Sequence, residues 1–184
     1  MSRRVLIAAA VAVTALLAAG CGGSSDSASS DTTPTEQWAD GLCSSITTWT
    51  SSLTSIVDTL KGGNLSKDSL TSAVDEAKSA TETFTTSLSD LGKPDTEAGQ
   101  QAKDSVDQLV TDIQADMTEI QDTVDGASGV AGVVAAVPTI GSTLSKAGQQ
   151  VSSTLAGFQD LDAKGELESA FKNSSSCQAL TSGS

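Results

Sequence analysis

The 184-residue chain contains no histidine and no tyrosine, and its only arginines are Arg3 and Arg4. Without histidine, the chain lacks the most common general base, the usual activator of serine and cysteine nucleophiles, and the usual ligand of transition metals. Composition therefore argues against hydrolases and metalloenzymes. We predict that the protein is not an enzyme and uses neither a cofactor nor a metal.

Positive charge is also scarce, since 10 Lys and Arg face 23 Asp and Glu, giving a net charge of −13. Such a body repels nucleic acid and anionic membrane surfaces, and an aromatic content of 3% leaves few rings to stack on bases. We expect no nucleic-acid partner. The acidity does not indicate disorder, because Leu, Ile and Val recur at helical spacing along most of the chain.

The N-terminus carries an export signal. Arg3 and Arg4 precede an apolar stretch over residues 5–19, which is shorter than the roughly 20 residues of a membrane-spanning helix and is typical of a signal peptide. Residues 2–7 also resemble a twin-arginine signal. The early, strongly apolar stretch favours the general secretory route, but the sequence leaves both routes open.

The leader ends in Leu-Ala-Ala-Gly-Cys at residues 17–21 and resembles a bacterial lipobox, with Ala18 where that family usually has leucine. In the family, a diacylglycerol is attached to the cysteine and the peptide is cut before it. The resemblance implies a signal peptide over residues 1–20, a lipidated Cys21 and an extracytoplasmic protein held on the bacterial cell membrane by two acyl chains. Removing the leader takes the net charge from −13 to −15. The alternative is ordinary secretory cleavage nearby, with Cys21 free.

Residues 21–34 form the next segment, in which no Leu, Ile, Val or aromatic residue occurs. This composition predicts a flexible tether with a root-mean-square reach of roughly 20 Å. A Ser/Thr-rich tether could also carry O-linked sugar, which the sequence does not decide.

Cys43 and Cys177 remain once Cys21 is assigned to the lipid. Two cysteines in an oxidising compartment predict a disulfide, which would enclose about 135 residues and pin the C-terminal segment across the first helix. The alternative is a pair of unpaired buried thiols. A zinc site would need further cysteines or histidines.

Residues 35–184 are predicted to form one all-α domain, an antiparallel up-and-down four-helix bundle with short extra helices. Apolar residues recur at steps of three and four in four segments, over residues 38–60, 70–91, 98–124 and 140–158. Thr33 or Thr35, Ser66, and Asp95 or Thr96 are candidate caps of the first three helices. We expect a short apolar helix over residues 130–137 that Pro138 kinks or breaks before the fourth helix, and another short helix near Leu167.

Several residues are candidate site residues, each with a structural alternative. Trp38 and Trp49 lie 11 residues apart on one helix face and could form the wall of an apolar ligand pocket, although core anchoring is their commoner role. Asp112, Asp116 and Glu119 form an acidic face that we interpret as solvated rather than as a calcium site.

Residues 160–168 resemble the first nine positions of an EF-hand loop, with Asp160 and Asp162 as candidate ligands and Gly165 at the turn. Lys164 occupies a ligand position and Phe171 replaces the closing glutamate, so calcium binding by this segment is expected to be weak at most. The alternative is a turn between two helices near Gly165, which explains the same residues.

With the lipobox, three segments resemble small secreted lipoproteins of actinobacteria: residues 38–43, the LGKPDT of residues 91–96 and the ELESAFKNSSSC of residues 166–177. That group has no assigned activity, so the resemblance implies location and a helical domain only. The leading hypothesis is a non-enzymatic interaction or scaffold domain that meets an envelope protein or a cell-wall component. The alternative is a carrier of an apolar ligand between the helices, which the small residues of the fourth helix favour because they leave space there. Gly141, Gly148 and Gly157 are also expected to permit close packing.

Overall fold

The computed structural model describes residues 32–62, 65–162 and 164–182. Of these residues 88% are helical and none forms a strand, which confirms the predicted all-α class. The helices in this part of the chain are α1 (Pro34–Gly62), α2 (Lys67–Asp90), α3 (Gly99–Gly126), α4 (Gly129–Leu161), α5 (Glu166–Asn173) and α6 (Ser175–Ser182). The predicted signal peptide, Cys21 and the tether up to residue 31 lie outside the described residues.

The buried side chains form two neighbouring clusters along the predicted apolar faces. Members of the larger cluster include Trp38, Leu42, Trp49, Phe84, Leu109, Phe158 and Leu167. Members of the smaller cluster include Leu70, Val74, Met117, Ile120, Val124 and Val133. Each fully buried Leu or Phe side chain stabilises the fold by about 1.5–3 kcal/mol relative to exposure.

Two of the predicted helix caps are confirmed. The Thr33 hydroxyl accepts from the amide of Glu36 at 3.2 Å, while Glu36 accepts from the Thr33 amide at 2.7 Å. The Ser66 hydroxyl accepts from the Ser69 amide at 3.1 Å. Both arrangements satisfy amides that the first turn of a helix leaves without an intrahelical partner.

The predicted cap of α3 is wrong. The helix begins at Gly99 after Ala98 and has no side-chain cap, because backbone hydrogen bonds close a tight turn just before it. The Gly99 amide donates to the Thr96 carbonyl at 3.0 Å. A Cβ on Gly99 would meet the Pro94 carbonyl oxygen at 2.1 Å, so this turn requires glycine there.

The expected separation of a short helix from the fourth helix at Pro138 is also wrong, because α4 runs continuously from Gly129 to Leu161. Proline lacks the amide that would donate to the Val134 carbonyl one turn earlier. Both Val134 and Pro138 lie on the exposed side of the helix. Water can therefore satisfy that carbonyl, and the missing hydrogen bond does not interrupt the helix.

One side of α4 is open. The helix packs most closely against α3, and it meets α1 through long side chains such as Trp38 and Phe158. The first helix packs mainly against α2, α5 and α6. A Cβ added at Gly141, Gly148 or Gly157 would meet no atom within 4 Å, so the expectation that these glycines permit close packing is wrong. The segment Gly129–Phe158 is long and apolar enough to cross a membrane, and only 22% of its most apolar 18 residues are buried.

Candidate functional site

The C-terminal helix is held across α1 by a disulfide. The sulfurs of Cys43 and Cys177 lie 2.00 Å apart and their Cα atoms 5.0 Å apart, which confirms the predicted pairing. Both residues are buried. The bond spans 134 residues of sequence and therefore ties the end of the chain to the first helix.

A carboxylate from α1 also holds the start of α6. Asp40 Oδ1 accepts from the Ser174 hydroxyl at 2.8 Å and from the Ser176 amide at 3.1 Å. The N-terminus of a helix favours a nearby negative charge. The hydrogen bond from Ser174, followed by that from the Ser176 amide, lowers the pKa of the Asp40 carboxyl below its ordinary value of 3.8.

We expect Asp40→Ala to lower the free energy of unfolding by about 1 kcal/mol at pH 7, as for other acceptors lost from a helix N-terminus. Because folding lowers the pKa of Asp40, its contribution is present above the unfolded value near 3.8 and disappears as the pH falls through the folded value. Urea unfolding of the native protein and of Asp40→Ala should show a difference in unfolding free energy at pH 7 that becomes smaller at pH 2.5. Asp75→Ala, at an exposed position of α2, is the control. An equal loss of unfolding free energy in Asp40→Ala and Asp75→Ala would contradict the stabilising role of Asp40.

An apolar cavity of about 490 Å³ lies where the end of α4 meets α5, α6 and the disulfide. Its described apolar lining consists of Cys43, Leu155, Ala156, Phe158, Phe171, Cys177 and Leu180. The rings of Phe158 and Phe171 stack with their centroids 5.7 Å apart. The volume falls within the range of about 300–1,000 Å³ typical of small-molecule sites.

The polar residues of the cavity are Glu168, Lys172 and Gln178, all of them exposed. Lys172 Nζ lies 2.5 Å from Glu168 Oε1, and Gln178 Nε2 donates to the Lys172 carbonyl at 2.6 Å. The cavity therefore has apolar walls and a mixed-charge rim.

The two tryptophans occupy separate parts of the core. Trp38 is 4% exposed and Trp49 is 6% exposed, and neither is among the described residues that line the cavity. Trp38 contacts the ring of Phe158 edge-on, with centroids 5.6 Å apart, and its Nε1 donates to the Gly92 carbonyl at 3.2 Å. Trp49 donates to Thr81 Oγ1 at 3.1 Å. Trp38 therefore supports the aromatic wall from behind.

Phe158 and Phe171, which the sequence analysis did not single out as site residues, form that wall. Phe158 ends the apolar pattern of the fourth helix, and Phe171 belongs to the apolar pattern of the next short helix. Each pattern indicated that its phenylalanine faces inward. The patterns did not show that they meet, because that depends on the turn between α4 and α5.

The acidic face of α3 differs from the prediction at one residue. Asp116 is 2% exposed, and its Oδ1 accepts from Lys146 Nζ at 2.6 Å. This hydrogen bond raises the pKa of Lys146. Asp116 is therefore a buried, paired carboxylate that links α3 to α4 and not part of a solvated face.

The EF-hand-like segment serves as a helix start. Asp162 accepts from the amides of Glu166 and Glu168, at 2.9 and 2.8 Å, and Lys164 pairs with Glu97 at 2.5 Å. Both carboxylate oxygens of Asp162 are thereby used at the first turn of α5. Within the described ranges, no group of three or more His, Cys, Asp or Glu side chains is placed to hold a metal ion.

A second apolar feature, here called the valine face, consists of Val130, Val134 and Val137 on α4. These side chains are 80%, 58% and 40% exposed, respectively. Beside Val137 lies a cavity of about 180 Å³, also lined by Leu60, Leu65, Leu70, Ile140 and Leu144. The face lies within residues 126–145, which include no charged residue.

Comparison with known proteins adds no relative: no family model matches the chain, and neither a curated protein nor a solved structure matches it significantly.

Proposed function

We propose that the chain is a lipid-anchored extracytoplasmic protein that acts by binding an envelope protein or a cell-wall component rather than by catalysis. The lipobox-like segment ending at Cys21, and the resemblance to small actinobacterial lipoproteins, support the anchor and the location. The Cys43–Cys177 disulfide supports an oxidising compartment, because such bonds persist outside the cytosol.

The exposed valine face is the main observation in support of the binding role. Three neighbouring valines are exposed on a chain whose net charge is −13, in a stretch of 20 residues without a charge. Proteins seldom leave such a surface in contact with water unless it meets a partner, because hydration of apolar area is unfavourable. An apolar patch on an otherwise acidic body favours a partner with an apolar patch of its own.

We further propose that α1 to α4 form an antiparallel up-and-down bundle with α5 and α6 as short extra helices. Contacts between the start of one helix and the end of the next support this arrangement. Trp38, near the start of α1, donates to Gly92 just after α2. Lys67, at the start of α2, donates to the Asp125 carbonyl near the end of α3 at 2.9 Å.

The valine face lies at one end of this arrangement. The cavity that joins Val137 to Val57 and Leu60 lies near the end of α1, whereas the tether enters at Pro34. A helix of 29 residues is about 43 Å long. The valine face therefore lies at the end of the domain opposite Pro34.

Photo-crosslinking in intact source cells tests this role. A photoreactive benzoyl-phenylalanine at position 134 should give one discrete adduct, and the same residue at exposed position 153 of α4 should not. Val130→Asp should remove the adduct at position 134, because a charge within the apolar contact is costly. Equal adducts at both positions, or an adduct that survives Val130→Asp, would contradict the proposal.

A second candidate function, carriage of an apolar ligand, is favoured by the 490 Å³ cavity beside the disulfide. It does not compete with the first, because the lining residues of the cavity and the valine face do not overlap.

A further inference from the structure

We infer that the cavity beside the disulfide binds a single alkyl chain whose uncharged or zwitterionic head group lies at the rim formed by Glu168, Lys172 and Gln178. The inference rests on the second candidate function and is independent of the valine face.

The walls of the cavity fit an alkyl chain. Leu155, Leu180 and the stacked rings of Phe158 and Phe171 offer carbon surfaces, and the disulfide adds a polarisable apolar surface. Each methylene group buried there would strengthen binding by about fourfold. A second alkyl chain would have to share a cavity of about 490 Å³, so one chain per protein is expected.

The walls are also largely fixed before a ligand arrives. Cys43 and Cys177 are joined covalently, and Asp40 holds the start of α6 through Ser174 and Ser176. Trp38 supports the aromatic wall, since its ring contacts both Phe158 and Phe171, with centroids 5.6 and 6.2 Å away. A preformed apolar site favours binding, because little conformational entropy is lost when the ligand enters.

The rim sets the charge of the head group. Lys172 and Glu168 form an exposed pair of opposite charges, with Lys172 Nζ 2.5 Å from Glu168 Oε1, so the rim itself is neutral. Such exposed pairs contribute little to stability, and their polar atoms can bind a head group instead. The net charge of −13 opposes an anionic head. A glycerol or phosphocholine head therefore fits better than a free carboxylate.

Equilibrium dialysis with radiolabelled 1-monopalmitoylglycerol tests the site on the full chain carrying Cys21→Ser, isolated without detergent. One ligand should bind per protein. Ala156→Phe, at an exposed position that lines the cavity, should weaken binding by about tenfold or more. Ala135→Phe, at an exposed position elsewhere on α4, is the matched control and should leave affinity unchanged. Palmitate at pH 8 should bind about tenfold more weakly than the neutral ligand.

A photoreactive monoacylglycerol gives a second readout without any substitution. Its label should map to the segments around Phe158 and Phe171, and excess 1-monopalmitoylglycerol should compete it away. Equal binding by the two phenylalanine variants, label spread over other helices, or a second copy of the chain bound in place of the lipid would overturn the site. Palmitate binding as tightly as the neutral ligand would overturn the head-group assignment. None of these results depends on crosslinking at position 134, so this inference and the proposed partner contact can fail separately.

Discussion

Replacing Cys43 and Cys177 together by alanine is expected to lower the free energy of unfolding by about 2–4 kcal/mol, with an upper limit near 5 kcal/mol. The disulfide joins residues separated by 134 positions and so encloses nearly the whole described fold. Its removal lets the unfolded chain explore many more conformations, which favours unfolding. Alanine is the suitable replacement because both positions are buried and a serine hydroxyl there would need a hydrogen-bond partner.

Urea unfolding with and without reductant measures this effect. Reductant should lower the midpoint of the native protein and leave the double variant unchanged. The dependence of the unfolding free energy on urea should also steepen, because an uncrosslinked unfolded chain exposes more surface. If the double variant unfolded at the same urea concentration as the oxidised native protein, the crosslink would not stabilise the fold.

The same variant separates the stability of α6 from that of the rest of the protein. Without the bond, Asp40 still binds Ser174 and Ser176, and Asn173 still donates to Glu36 at 2.9 Å. The half-buried hydrogen bonds of Asp40 contribute about 1 kcal/mol each. In the double variant, hydrogen exchange should therefore speed up more in α6 than in α2 or α3, because short helices with few buried contacts open first.

The helices of this protein were predictable where one face alone is apolar. Trp38, Leu42, Ile46 and Trp49 follow steps of three and four, and all four are buried. Asp116 could have been placed by the same rule, because it lies three residues after Ile113 and four before Ile120 on the inward face. We interpreted it as solvated because it is acidic. Its burial depends on the ion pair with Lys146, which lies on another helix.

The beginning of α4 was less predictable because apolar residues occupy several of its faces. Val133 and Ala136 are buried, whereas Val130, Val134 and Val137 are exposed, and the sequence does not distinguish the two sets. The effect of Pro138 depended on the same choice, because a lost amide is tolerated only on the side that meets water. The cavity could not be predicted either, since it forms only where α1 meets three consecutive helices from the other end of the sequence, α4, α5 and α6.

Cys21→Ser, expressed with an ordinary secretory signal in place of residues 1–20, is expected to move the protein from the membrane fraction to the soluble extracytoplasmic fraction almost completely. Two acyl chains give stable anchoring, because each buried methylene contributes about 0.8 kcal/mol. The mature chain, with a charge of −15 once Arg3 and Arg4 are removed, would otherwise be repelled by an anionic bilayer. Fractionation of source cells, with the intact mass of the purified protein, should show both the release and the loss of the lipid.

Ser25→Ala is the matched control for that experiment, because it changes the same tether and leaves the cysteine in place. It should remain in the membrane fraction. The competing anchor is the apolar segment Gly129–Phe158, whose length and composition suffice to cross a bilayer. If the Cys21→Ser protein stayed in the membrane fraction, adding Val134→Lys would test whether the apolar segment is the anchor. A lysine inside an apolar membrane segment is costly. Release only by the combined change would contradict the lipid anchor and assign membrane attachment to α4. Release by Cys21→Ser alone would support the lipid anchor and leave the valine face free to meet a partner.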